Sequence, residues 1–293
     1  MNTADSLRAA GLDPGAVMEL VSRALAEDLA YGPDVTTAAA VPAGVRGVAD
    51  LTPRSPGVVA GLPVAQLAFD VSAEDRLTVT TRHRDGDRVI AGEPVLTVEG
   101  PLHDVLTAER TALNLLTHLS GIATATRSLV DATEGTGARI RDTRKTLPGL
   151  RTLQKYAVRC GGGVNHRMGL GDAALVKDNH VLAAGGVSAA IAAVRAAAPC
   201  LTIEIECDTL DQVAEAIGAG AKLILLDNMT LDDLRAAVHL AHAAGSVHLE
   251  ASGGLTADSV PEVAATGVDY LAVGALTHSS QALDIGLDLR PSS

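Results

Sequence analysis

The chain has 293 residues, enough to bury a full core in one large domain or two smaller ones. Its net charge of −12 and pI near 5.1 exclude a general nucleic-acid face, because phosphate backbones reward broad basic surfaces. Aromatic residues make up 1% of the chain, so the core is expected to be Ala, Val, Leu and Ile, and stacking platforms for single-stranded nucleic acid are lacking.

In chain order, the first predicted helix covers residues 13–29. Asp13 can cap it, Pro14 suits its first turn, and Val17, Leu20, Val21, Ala24 and Leu25 recur at helical spacing. Strands are predicted at 47–52, 57–60, 77–81 and 94–98, separated by Gly, Pro and Asp turns. The segment from Gly86 to Leu96 resembles the half-motif of lipoyl and biotinyl carriers. No lysine precedes Lys145, however, so it reads as a structural β-rich element. A long helix follows at 103–131, with an interruption expected at Gly121. After residue 138 the rhythm becomes strand–helix alternation. Strands are expected at 139–142, 174–177, 202–206, 223–227, 247–250 and 270–273, and helices at 187–198, 210–216, 231–243 and 257–265. Repeated βα units with apolar strands predict a parallel sheet buried by helices. Nearly every one of these strands ends in a polar or glycine residue, which selects a (β/α) barrel over an open sheet. The opening MNTADSLRAAGLDPG has no apolar centre, and no apolar run approaches the roughly 20 residues of a membrane span. Three cysteines without metal-type spacing, Cys160, Cys200 and Cys207, predict reduced thiols in a cytoplasmic protein with no membrane partner.

Residues 139–180 reverse the charge of the chain, with nine Lys or Arg against three Asp. They also hold three of its four lysines, Lys145, Lys155 and Lys177. An acidic protein that gathers cations in one glycine-rich stretch is suited to hold a small anion there. Arg144, Lys145, His166, Arg167 and Lys177 are the candidates to clamp carboxylates, arginine by its bidentate fork and lysine as a point charge. Arg151, Lys155 and Arg159 recur every four residues and read as one helix face. Gly253, Gly254 and Gly274 follow the last two strands. Bare backbone N–H groups there, with a helix expected to start after Gly254, suggest a phosphate cradle. Glu206 and Asp227 end successive strands and suit sugar hydroxyls or Mg2+. His278 and the remaining histidines carry no supporting motif and read as structural or surface residues.

The string RDTRKTLPGLRTLQKYAVRCGGGVNHRMGLGDAALVKDNH at 141–180 closely resembles the quinolinate phosphoribosyltransferases. So do EDLAYGPDVTT at 27–37, LTAERTALNLLTHLSGIATAT at 106–126, IEIECD at 203–208, LILLDN at 223–228, EASGGL at 250–255 and GVDYLAVGALTHS at 267–279. The resemblance implies an α/β protein of type II phosphoribosyltransferase architecture. An N-terminal α/β sandwich domain would occupy 1–120, with the tail 276–293 packing on it. An α/β barrel of six to seven parallel strands would occupy 121–275. The implied reaction moves the phosphoribosyl group of phosphoribosyl pyrophosphate (PRPP) to quinolinate with decarboxylation, giving nicotinate mononucleotide, pyrophosphate and CO2 in NAD biosynthesis. Lys145, Glu206 and Asp227 are then expected at the reacting centre, and Arg144, His166, Arg167 and Lys177 on the quinolinate carboxylates. Thr143, Ser252, Gly253, Gly254, Val273, Gly274 and Ala275 complete the expected substrate contacts. Mg2+ would arrive with PRPP, held by Glu206 and Asp227 directly or through the sugar phosphate. Arg110 would reach the neighbouring active site of a homodimer or dimer-based oligomer, with apolar Leu113, Leu115, Leu116 and Leu119 alongside it. Nicotinate phosphoribosyltransferase activity and a non-catalytic phosphate-binding role stay open as alternatives.

Overall fold

The computed structural model describes residues 2–73 and 76–290. The first elements are α1 (Thr3–Ala9), α2 (Pro14–Asp28), α3 (Val35–Ala40), β1 (Arg46–Pro53), β2 (Gly57–Val58), α4 (Leu62–Ala73), β3 (Thr78–Thr81), β4 (Arg88–Val89) and β5 (Leu96–Pro101). Then come α5 (Leu102–Ala132), β6 (Arg139–Arg141), α6 (Arg151–Cys160), β7 (Ala174–Val176), α7 (Asp178–Ala184), α8 (Val187–Ala197), β8 (Ile203–Cys207) and α9 (Leu210–Gly218). The last are β9 (Leu223–Asp227), α10 (Leu231–Ala244), β10 (His248–Ser252), α11 (Val260–Ala264), β11 (Tyr270–Ala272), α12 (Ala275–His278) and β12 (Ile285–Leu289). They form two compact units, one of Met1–Ala125, Thr152–Gly161 and Ser279–Ser293, the other of Thr126–Arg151 and Gly162–His278.

The first unit is built on an antiparallel sheet of order β12-β1-β5-β3. Its helices follow the sequence signals closely. Asp13 caps α2 by accepting the Gly15 backbone N–H at 2.9 Å, and Val17, Val21 and Leu25 bury one face. The Gly86–Leu96 segment contributes β4, which pairs with β2. Helix α5 corrects one expectation, because it runs unbroken through Gly121. A Cβ at Gly121 would sit 2.0 Å from the Gln281 carbonyl oxygen and 2.8 Å from Ala282 Cα. The glycine is a docking notch for the C-terminal segment, not a helix break. The apolar residues beside Arg110 are also corrected as an interface. Leu113, Leu116 and Leu119 are buried within the chain, and Leu115 is half-buried.

In the second unit six parallel strands pair in the order β6-β11-β10-β9-β8-β7, and a parallel bridge from Arg141 to Val164 adds a seventh position beyond β6. On a flat sheet, β6 and β8 would stand about 19 Å apart at roughly 4.8 Å per strand. Arg141 on β6 nevertheless places its guanidinium 4.0 Å from the Glu204 carboxylate on β8. The sheet is therefore wrapped into a barrel. Arg167 spans the remaining gap by donating from its guanidinium to the Ala173 carbonyl, at 3.1 Å, just before β7. Strand alternation sends Ile205, Ile224, Leu226, Leu249 and Leu271 to one buried face, where the helices lie, and alternate residues to the barrel interior.

Candidate active site

The C-terminal ends of the barrel strands enclose a cavity of about 750 Å3, the face at which barrels of this kind bind substrates. Thr143, Arg144 and Lys145 follow β6, while His166 and Arg167 follow the bridge at Val164. Lys177 follows β7, Glu206 lies in β8, and Asp227 and Asn228 close β9. Ser252, Gly253 and Gly254 close β10, and Val273, Gly274 and Ala275 follow β11. Each strand delivers one or two groups because alternate residues face inward and the last of them emerges at the rim.

The cationic wall is held from behind. Asp142, fully buried, accepts the His166 backbone N–H at 2.8 Å and the Asn165 side-chain amide at 2.5 Å. Asp172 accepts the Met168 and Gly169 backbone N–H groups at 2.5 and 2.8 Å. These bonds fix the loop that presents Arg167. Arg144 and Arg167 each keep a buried Nε that meets no acceptor. Burial, and then the neighbouring charge of Arg144, lower the pKa of Arg167. Two crowded guanidiniums with unfilled donors call for an anion between them. Lys177 donates from Nζ to Glu206 Oε2 at 2.6 Å, so its ammonium and this carboxylate hold each other.

The opposite wall is acidic and glycine-rich. Asp227 Oδ2 accepts from the Asn228 side-chain amide at 2.7 Å, and Asn228 takes a left-handed backbone conformation with φ of 53°. A Cβ at Gly253 would fall 2.2 Å from Asn228 Oδ1, so glycine is required for these two strand ends to approach. At Gly274 a Cβ would lie 3.0 Å from Lys145 Cδ and 3.5 Å from His278 Nε2. The helix expected directly after Gly254 does not form there. Helix α11 begins at Val260 with Pro261 in its first turn, the position where a missing N–H costs nothing. The cradle is therefore made of loop backbone.

The match of known families to this fold is direct. A model of the quinolinate phosphoribosyl transferase N-terminal domain covers residues 34–120, and one of the C-terminal domain covers 122–288. The chain belongs to the quinolinate phosphoribosyltransferase family. It is 56% identical over 276 residues to a carboxylating nicotinate-nucleotide pyrophosphorylase of Mycobacterium leprae, covering 94% of this chain and 97% of that one. It is 39% identical over 282 residues to the human protein of the same name, covering 95% and 93%. The solved nicotinate-nucleotide pyrophosphorylase of Francisella tularensis superposes with a TM-score of 0.89 at 36% identity, covering 94% and 96%.

Within this family frame, the pocket brings together every residue expected at the site from the sequence except Arg110. Arg110 belongs to the first unit, where its side chain is 63% exposed and 3.9 Å from the Glu109 carboxylate. Lys155 is fully buried in α6, and Arg151 donates to Thr146 and to the Met168 carbonyl, as structural roles require. His166 lines the pocket, but its ring is already engaged. Nδ1 accepts the Arg167 backbone N–H at 2.7 Å, and Nε2 stands 2.7 Å from Glu204 Oε2. His278 is corrected from a structural or surface residue to a pocket residue beside Gly274. Sequence reasoning also missed Glu250. Glu250 ends the strand expected at 247–250, but β10 runs on to Ser252 and places it in mid-strand; Glu204-Glu206 and Glu250-Ser252, each two apart, carry the inward-facing period.

Proposed function

We propose that this pocket transfers the phosphoribosyl group of PRPP to the ring nitrogen of quinolinate and releases one carboxyl as CO2, yielding nicotinate mononucleotide and pyrophosphate for NAD synthesis. The observation that carries this reading is the pair of buried, unfilled Nε donors on Arg144 and Arg167, set across the cavity from an acidic, glycine-rich wall. One wall suits a dicarboxylate, the other a sugar phosphate. Arg144, Arg167 and Lys177 hold the two quinolinate carboxylates, and His166 orients the loop from behind. Backbone N–H groups of Gly253, Gly254 and Gly274, flanked by Ser252, Val273 and Ala275, hold the 5-phosphate. Glu206 and Asp227 accept from the ribose hydroxyls and stabilise positive charge at C1 as pyrophosphate departs. Lys145 and Thr143 lie between the two ligands.

Both acids already have partners, Lys177 and Asn228, and each retains a further oxygen, which fits Mg2+ brought in with PRPP and reached through the sugar or water. When bound, Mg2+ neutralises charge on the pyrophosphate. Positioning and preorganised charge then supply the catalysis without a protein nucleophile. Arg110 completes the carboxylate clamp from the neighbouring subunit of a homodimer, which makes activity depend on assembly. Free thiols at Cys160, Cys200 and Cys207 fit a reducing cytoplasm, and among the described residues no single helix is long and apolar enough to cross a membrane. Incubation with PRPP and Mg2+, offering quinolinate or nicotinate separately, tests the reading. Stoichiometric CO2 release with quinolinate is expected. Turnover of nicotinate alone refutes it.

A further inference from the structure

Beneath the pocket lies a charged layer that phosphoribosyl transfer does not use. Three alternate strands each send one side chain to the barrel centre: Arg141 from β6, Glu250 from β10 and Glu204 from β8, with His166 beside them. Barrel centres are ordinarily filled with branched apolar side chains, since an unbalanced charge there is costly. The donor atoms of His166, Glu204 and Glu250 all lie within 4.8 Å of one another, and the cation among them is the Arg141 guanidinium, hydrogen-bonded to Glu250. A backbone N–H aimed at His166 Nδ1 requires a lone pair there, so Nε2 carries the ring proton and donates to Glu204. That leaves Arg141 as the guanidinium in contact with the two carboxyls, with Arg167 acting on Glu204 from the wall above.

The Glu204 and Glu250 carboxyls are hydrogen-bonding neighbours, and each keeps one buried oxygen, Oε1, that no N–H or O–H donor reaches. One proton on this pair of carboxyls makes the layer formed with Arg141 neutral. Glu250 is the member of this pair that lines the pocket, and its side chain is fully buried. Around it stand Glu204 from β8, Arg141 from β6, His166 from the segment after Val164, and Tyr270, its register partner on β11. Burial first, and then the Glu204 charge, push the Glu250 carboxyl up to about 8. A neutral acid on the cavity floor also admits a dianion that a carboxylate would repel.

Decarboxylation requires a proton at the carbon that loses CO2. The cations of the wall must keep their charge to hold carboxylates, whereas Glu250 can release a proton and keep the Arg141 guanidinium as the hydrogen-bond partner of its carboxylate. Resting on the reaction assigned above, we propose that Glu250 is the proton source for that ring carbon. As the bond from C2 to its carboxyl breaks, the electron pair stays on C2, next to the ribosylated and positively charged nitrogen. The Glu250 O–H bond then breaks, its proton bonds to C2, and the carboxylate left behind is held by Arg141. Water restores the proton after the product leaves.

Glu250→Gln keeps the size of the side chain and removes the transferable proton. The variant is expected to bind quinolinate within about twofold of wild type and to lose kcat by about 10²–10⁴-fold. A second readout separates chemistry from structure: the hydrogen-to-deuterium ratio at C2 of nicotinate mononucleotide formed in an equimolar mixture of H2O and D2O. The residual product of Glu250→Gln is protonated by water, so its ratio departs from that of wild type. Unchanged kcat, or a lowered kcat with an unchanged ratio, overturns the proposal. If Glu250→Gln does not fold, Glu250→Asp decides. It retains an acid one methylene short, so a lowered kcat with the wild-type ratio is expected, and full kcat overturns the proposal. Wild-type enzyme that releases no CO2 from quinolinate would refute the reaction itself, a result distinct from any difference between wild type and variant.

Discussion

In the first unit the half-buried Asp85 carboxylate accepts from the Gly61 and Leu62 backbone N–H groups and from the Tyr156 hydroxyl. In the second unit Arg144 and Arg167 keep buried donors that meet nothing, and Glu204 and Glu250 keep buried acceptors in the same condition. Among the described residues six buried side-chain polar atoms lack a partner, and five of them lie in the pocket or in the layer beneath it. The sixth belongs to Asp104, whose other oxygen is paired with Arg76. A polar group buried for stability is satisfied internally, because leaving it unpaired costs about 1–3 kcal/mol. The unfilled atoms therefore mark where the molecule waits for a ligand or a proton.

The contrast predicts separable consequences. Arg167→Ala or Lys145→Ala is expected to lower kcat/KM by about 10²–10³-fold with little change in thermal midpoint; near-normal steady-state kinetics would remove these residues from the site. Gly121→Ala forces the helix away from Gln281 and Ala282. It should destabilise the first unit by about 1–3 kcal/mol, seen as a lower denaturation midpoint, with a smaller effect on kcat. Tyr156→Phe strips one donor from Asp85 and should cost about 1–3 kcal/mol with activity per folded molecule retained; a selective loss of kcat would place that network in catalysis. A further effect is on stability against pH. The folded state raises the Glu250 pKa from 4.5 to about 8 and so binds more protons than the unfolded chain. The stability this contributes is complete below the unfolded value and is lost as pH rises through the folded one. Urea midpoints should show this decline in wild type and a flatter profile in Glu250→Gln.

Much of this was legible in the sequence because strand ends in a barrel concentrate polar residues next to apolar runs, as in LILLDN and IEIECD. What stayed hidden depends on contacts far apart in the chain. Gly121 reads locally as a break, yet its meaning comes from residues 281 and 282. The inner layer pairs Arg141 with Glu250, 109 positions away, and a glutamate in mid-strand reads as a rim residue until the sheet is closed. His278 sits in a four-residue helix too short to show periodicity. The helix expected at 257–265 starts three residues later, at Val260, with Pro261 in its first turn.

The central claim is that the unfilled donors of Arg144 and Arg167 exist for a second carboxylate, and calorimetry on the wild-type protein tests it most directly. Quinolinate and nicotinate differ by that one group, and a charge-assisted hydrogen bond contributes about 1.5–3 kcal/mol, or roughly 10–100-fold in affinity. Quinolinate is therefore expected to bind at least about tenfold more tightly than nicotinate, with the preference largely lost in Arg167→Ala. Equal affinity of the wild-type protein for the two acids would contradict the account.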